Sequence, residues 1–371
     1  MAIGRSDLAP DIARALELPR IVRLESNLYG LAFSLMKLIP ARHILERARK
    51  DGRLDSGAVV VESTSGTFGL ALAMHCSLLG QPLVLVSDPA VDSSLRRRIE
   101  DLGARVEIVE QPSPIGGFQQ ARLLRLAQVC ERHPRHFLPS QYDNPDHPSS
   151  YEGLATFLHQ ALGEIDYLVG PVGSGGSMCG TATALRQKMP HLAAVGVDTP
   201  GSVLFGQPDG PRALRGLGNS IMPANLDHRV FDEVHWVGAP EAFLATRLLH
   251  RRHALFMGPT SGAAWLAARS LARRNRAATV AMVLPDEGHR YLATVYDDVW
   301  LAANQQLVGR LPSRPIEVSR PSEAGDRWSY LTWGRRSRTE VQLGIRLDAP
   351  SPPRSSGTAS AKTASLAGAP S

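Results

Sequence analysis

Residues 58–88 read AVVVESTSGTFGLALAMHCSLLGQPLVLVSD, and the way this stretch divides decides the fold class. A β-branched run, AVVV, ends in a cluster of hydroxyl-bearing residues and glycine. The apolar segment GLALAMHCSLLG then has the length and composition of a buried helix, and PLVLVSD returns to strand character. Strand, helix and strand within about 30 residues make a βαβ unit. The alternation continues through helix SSLRRRIEDLGA, strand RVEIVE, helix FQQARLLRLAQVCERH and strand HFLPS. It resumes with IDYLVGPV, a helix over 175–188, AAVGVD, a helix over 240–252, and AAWLAARSLARR before TVAMVLPD. The pattern predicts an α/β protein of parallel sheets covered by helices, in two units that meet near residues 140–150, where QYDNPDHPSS collects turn formers.

The composition bounds the function classes. Of the 371 residues, 43% are hydrophobic and 20% charged, as in ordinary globular proteins. No apolar run reaches the roughly 18–20 residues that span a bilayer, and MAIGRSDLAPDIARALELPR has no apolar leader, so no membrane role and a cytoplasmic location are expected. Cys76, Cys130 and Cys179 form no CxxC pair, which argues against a disulfide framework or a cysteine metal site; no metal is expected. Residues 311–371 hold nine Lys/Arg against five Asp/Glu, so +4 of the net +6 lies there and the body is close to neutral; a nucleic-acid partner is not expected. The α/β pattern fades after residue 308. From DAPSPPRSSGTAS onward the composition is that of a disordered tail, with WSYLTWGRR as an ordered exception, and a mere tail could be removed without loss of activity.

Three turns and one lysine carry the chemistry. ESTSGTFG (62–69) follows a strand and opens a helix, which suits an anion or simply a capped turn. GPVGSGGSMCG (170–180) does the same with Gly173, Gly175 and Gly176 beside Ser174 and Ser177, as a phosphate cup would. It is neither the dinucleotide fingerprint, since Met178 stands where the last glycine belongs, nor a P-loop. FMGPTSGAAW (256–265) sets Thr260 and Ser261 at a third helix start. Lysine is scarce here, with only Lys37, Lys50, Lys188 and Lys362, and Lys37 lies in the apolar run LAFSLMKLIPA (31–41). An apolar setting favours the neutral amine that forms an imine with an aldehyde. Together these features describe a small phosphorylated cofactor held as a Schiff base.

In this order the motifs resemble the cysteine synthase/cystathionine β-synthase family of pyridoxal phosphate enzymes, fold type II, over about residues 20–300. RLESN leads to Lys37; STSGTFG is similar to the substrate-carboxylate loop, QYDNP to the family's Gln-aromatic-x-Asn-Pro, and VGSGGSMCG to its phosphate cup. LGNSIMPANLD is similar to the segment closing over the site, GPTSGAA to the loop facing the pyridine nitrogen, and DEGHRYL to the final active-site stretch. The resemblance implies two three-layer parallel-sheet subdomains of the tryptophan synthase β type. Residues 46–145 would be a small mobile subdomain, residues 1–45 with 146–308 a large one, and 309–371 a largely disordered C-terminal extension. A homodimer is implied as well.

Carried over residue by residue, Lys37 would be the Schiff-base lysine and the acid/base at Cα and Cβ. Gly173, Ser174, Gly175, Gly176 and Ser177 would hold the cofactor phosphate, Thr67 its phenolic oxygen and Thr260 its ring nitrogen, while Thr64, Ser65 and Gln141 would hold the substrate carboxylate. Thr67 and Phe68 replace the family's Asn and Thr, and NLYGLAFSLMK replaces its usual approach to the lysine. Arg215, in ALRGLGNSIMP, stands where the O-phosphoserine-dependent branch reads the substrate phosphate, and a guanidinium fork suits that dianion. The expected reaction is replacement at Cβ of an O-activated L-serine, O-phospho-L-serine before O-acetyl-L-serine. A sulfur donor would be the nucleophile: thiosulfate giving S-sulfocysteine, or sulfide giving cysteine. Other amino-acid β-replacements, diaminopropionate formation among them, a serine/threonine dehydratase, and a catalytically weak relative that binds a partner are the alternatives.

Overall fold

The computed structural model describes residues 8–64, 66–89, 91–114, 117–214 and 216–345. Among them twelve strands form two sheets. They are β1 (Arg20–Glu25), β2 (Leu28–Ala32), β3 (Val59–Ser63), β4 (Leu83–Ser87), β5 (Arg105–Ile108), β6 (His136–Phe137), β7 (Tyr167–Pro171), β8 (Ala193–Asp198), β9 (Glu233–Trp236), β10 (Val280–Leu284), β11 (Ile316–Glu317) and β12 (Ser329–Thr332). The smaller sheet runs β5-β4-β3-β6, all parallel. The larger runs β1-β2-β10-β7-β8-β9-β12-β11, with a parallel centre from β2 to β9.

The parallel strands are the β-branched runs of the sequence. β4, β8 and β10 are buried along almost their whole length, as strands covered on both faces must be. Five strands, β1, β2, β9, β11 and β12, are not among the strand runs read from the sequence. β1 and β2 form an antiparallel hairpin at Ser26–Asn27, and the Asn27 amide donates to the carbonyls of Ala272, Asn275 and Ala278 at 2.9–3.1 Å, tying the turn to the far end of the helix Pro259–Arg274. The hairpin feeds β2 alongside β10. The Phe33 and Met36 amides then donate to Leu284 and Pro285, so the chain arrives beside the end of β10 just before Lys37.

A disordered extension from residue 309 does not describe what the chain does as far as residue 345. WSYLTWGRR contains β12, which pairs antiparallel with β9 and buries Trp328 and Trp333 completely. Gln207 donates to the Pro321 and Ala324 carbonyls, fastening this segment to the loop before Arg212. The two tryptophans that set WSYLTWGRR apart from the rest of the segment are packed as that exception implies, and their burial is worth about 3–5 kcal/mol each on truncation. Truncation without consequence is therefore no longer expected for 309–345, and residues 346–371 lie outside the described residues.

Candidate active site

A cleft of about 680 Å³ opens where the strands of both sheets end, the usual place for a ligand in open parallel sheets. Two strand-to-helix corners form its walls. From the small sheet, β3 runs into Thr64, Thr67 and Phe68 at the start of the helix Thr67–Leu79; from the large sheet, β7 runs into Gly173, Ser174 and Ser177 at the start of the helix Gly176–Arg186. Lys37, Gln141 and Thr260 line the same space.

The lysine does not sit within a helix. It is the residue before the helix Leu38–Lys50, on a short crossing from β2. Its Nζ lies 3.4 Å from Ser174 Oγ, 3.5 Å from His147 Nε2 and 6.0 Å from the centre of the Phe68 ring. Burial lowers its pKa from 10.5 to about 8, which favours the uncharged amine. Phe68, the departure from the family pattern, is itself buried and stacks on the His147 imidazole at 6.3 Å between ring centres. The aromatic thus forms one apolar wall of the space around the amine.

The cup works through backbone. Gly175 adopts φ +81°, and a Cβ there would come within 2.7 Å of Leu226 Cα; a Cβ on Gly176 would strike the His147 ring at 2.8 Å. The helix beyond has no side-chain N-cap, which leaves its first N–H groups for an incoming anion. The segment 216–226 closes over this turn. The Gly218 amide donates to Val172, and Asn219 Nδ2 lies 3.4 Å from the Gly173 carbonyl. At the third helix start Thr260 is buried, and the Ser261 hydroxyl beside it is buried without a partner.

Gln141 is held by its backbone: its N–H donates to Glu62 Oε2 at 3.3 Å, and its carbonyl accepts from Asn225 Nδ2 at 3.1 Å and from His147 Nδ1 at 2.6 Å. Burial raises the Glu62 carboxyl to about 7. Of the residues expected in the site, Lys37, Thr64, Thr67, Gln141, Gly173, Ser174, Ser177 and Thr260 come together around the cleft, Gly175 and Gly176 form the turn behind it, and Ser65 and Arg215 lie outside the described residues.

Sequence reading missed several groups. His147 carries no mark of its own in the sequence, where it lies in a cluster of turn formers. Arg122, on the helix Gly117–Arg132, also lines the cleft. It is buried, with Asp88 at 3.3 Å and its Nε unpartnered. Arg212 lies on the loop that Gln207 anchors, paired with Asp209 at 2.8 Å, and Arg290 completes the group. Only the motif DEGHRYL, which contains Arg290, signalled any of these.

The comparisons agree with this geometry. The family profile described as pyridoxal-phosphate dependent enzyme matches residues 1–286. The chain is 38% identical over 266 residues, 71% of this chain and 79% of that protein, to N-(2-amino-2-carboxyethyl)-L-glutamate synthase of Ralstonia nicotianae. To the protein of the same name from Cupriavidus metallidurans it is 36% identical over 288 residues, 76% of this chain and 84% of that one. The O-acetylserine-dependent cystathionine β-synthase of Helicobacter pylori superposes with a TM-score of 0.71 at 26% identity, covering 77% of this chain and 98% of that chain.

Proposed function

Since the chain belongs to the pyridoxal-phosphate dependent enzymes and is a β-replacement synthase of the cysteine synthase type, we propose that it joins an O-activated L-serine, O-phospho-L-serine first, to the amino group of L-glutamate. The product would be N-(2-amino-2-carboxyethyl)-L-glutamate, the compound named by the relatives above. The observation that carries this choice over sulfide is the set of three arginines, Arg122, Arg212 and Arg290, that line one cleft among the described residues; over thiosulfate, itself a dianion, it rests on the product named by the two relatives. Sulfide needs no cationic anchor. An amino dicarboxylate and a phosphate leaving group need several, and the guanidinium fork matches both.

The residues present suit the cofactor. The glycine turn, packed so closely on Leu226 and His147 that neither Gly175 nor Gly176 can carry a Cβ, and the uncapped helix start suit a phosphate. In this reading Gly173 to Ser177 hold that phosphate, Lys37 bonds the aldehyde carbon, Thr67 serves the phenolic oxygen and Thr260 the ring nitrogen. When bound, pyridoxal phosphate supplies a carbonyl that bonds amines and a conjugated ring that accepts the electron pair left at Cα. A neutral hydroxyl at the ring nitrogen withdraws less charge than a carboxylate would, which favours loss of a group from Cβ.

Thr64, Ser65 and Gln141 hold the carboxylate of the serine substrate. Lys37 takes the Cα proton, the Cβ–O bond breaks, and phosphate leaves toward Arg122, the most deeply buried of the three arginines. The glutamate amine then forms the Cβ–N bond and loses a proton, and Lys37 returns its proton to Cα. Residues 46–145 as a smaller moving part and a second copy of the chain as partner belong to this reading; sedimentation of the purified protein checks the dimer.

The deciding experiment offers the purified protein O-phospho-L-serine or O-acetyl-L-serine with L-glutamate, sulfide or thiosulfate in turn, with products identified by mass spectrometry. Phosphate release coupled to the glutamate adduct is expected. S-sulfocysteine or cysteine as the faster product would restore the sulfur reading.

A further inference from the structure

His147 has no part in the proposed chemistry above, yet it contacts Lys37, the Gln141 backbone and the Gly176 turn. The imidazole is completely buried between the Phe68 ring and Tyr151, with the Gly176 backbone against its face. Its Nδ1 lies 2.6 Å from the Gln141 carbonyl oxygen. A carbonyl only accepts, so Nδ1 carries the ring proton. In the neutral ring Nε2 is then a lone pair, and it faces Lys37 Nζ at 3.5 Å. The neutral form is also the one the surroundings favour, since burial and the facing Lys37 push the imidazole well down, to about 3.

A free lysine amine has two N–H bonds and one lone pair. Two acceptors stand within reach of Nζ: His147 Nε2, and Ser174 Oγ at 3.4 Å. Resting on the reading of Lys37 given above, we propose that His147 is a positioning residue: its Nε2 and Ser174 Oγ take the two N–H bonds of the free Lys37 amine and leave its lone pair facing the cleft. Both hydrogen bonds are long and fix direction more than they add energy. The same arrangement serves the step at Cα. When the lone pair takes the Cα proton, with the C–H electron pair staying on carbon, the new N–H is the one not held by protein and remains aimed at the atom to which it returns.

The first test needs neither substrate nor variant. Long-range ¹H–¹⁵N spectra of the full chain labelled with ¹⁵N-histidine, at pH 7 with and without pyridoxal phosphate, should show His147 as the neutral ring protonated on Nδ1. An Nε2–H ring or an imidazolium would overturn the proposal. The second test uses His147→Phe, which keeps the ring volume, and His147→Gln, whose amide can donate to the Gln141 carbonyl and accept from Lys37.

Capture of pyridoxal phosphate by the cofactor-stripped full chain, followed by its visible band, should slow about 10- to 100-fold in His147→Phe. kcat should fall comparably, with KM for the serine substrate within about twofold. Binding of pyridoxine phosphate, which lacks the aldehyde, should be unchanged, and His147→Gln should recover most of the capture rate. Capture and kcat both within about twofold of the parent in His147→Phe would reduce His147 to packing. Because the spectra and the capture rate involve no amino-acid substrate, they stand even if glutamate proves to be the wrong nucleophile.

Discussion

The two corners that wall the cleft start from one design and end in different chemistry. Each lies at the end of a buried parallel strand, turns on glycine and opens a helix with no side-chain N-cap. At the large-sheet corner Gly175 stands at φ +81° with Leu226 pressed against it, so what it offers a ligand is backbone. At the small-sheet corner Gly66 is extended, φ −139°, with open space where a Cβ would go, and what reaches the cleft is the side chains of Thr67 and Phe68. A backbone cup is intolerant of change and indifferent to substrate. A side-chain corner can be retuned, and it is there that this chain departs from its family's pattern.

The largest effect should come from removing the group that stands between the corners. Lys37→Ala should lose at least about 10³-fold in kcat. If the backbone corner works alone, the variant still binds pyridoxal phosphate, but reversibly, so that dialysis removes it. Complete loss of affinity would break the comparison, because the cup would then depend on the lysine.

Next comes a matched pair of substitutions. Gly175→Ala places a Cβ 2.7 Å from Leu226 Cα at a backbone angle that side chains rarely adopt, and should cost about 1–3 kcal/mol of stability together with at least a tenfold loss of cofactor affinity. Gly66→Ala meets nothing within 4 Å and should change the melting temperature little. Equal losses in the two variants, measured by thermal unfolding and cofactor titration, would erase the distinction.

A smaller effect should appear in the pH dependence. The Lys37 amine must be neutral to bond an aldehyde, and burial holds its pKa near 8, below the usual 10.5. Cofactor capture should therefore rise with pH through about 8 and then level off. In Phe68→Ser water reaches the amine, the charged form is favoured again, and the midpoint should move upward toward 10.5. A midpoint unmoved by that substitution would assign the desolvation to other walls of the cleft. The mildest change, Thr67→Val, removes one hydroxyl from the retunable corner; a fall in kcat of only a few-fold, about 2- to 5-fold, is expected in steady-state assays.

The corners were legible because their information is local. A β-branched run, a small-residue turn and an apolar helix follow one another along the chain, and each turn comes directly from its strand. Lys37 stood out for a related reason, as a scarce cation in an apolar run. His147 and Arg122 carried no such mark: one lay in a stretch of turn formers, the other in an arginine-rich helix. What distinguishes them is contact with residues far away, Lys37 being 110 positions from His147. The C-terminal segment was legible only at its aromatics: its mean composition is polar, but WSYLTWGRR stood out by its two tryptophans, and Trp328 and Trp333 pack against the body.

The sequence by itself determined the α/β class and the cofactor, and it singled out Lys37, because periodicity, glycine turns and an isolated charge are properties of neighbouring residues. Only the tertiary structure decided which imidazole nitrogen faces that lysine, which arginines share the cleft and where β12 docks. Those outcomes depend on atoms brought within hydrogen-bonding or packing distance by the closing of two sheets, and no spacing along the chain encodes such a distance.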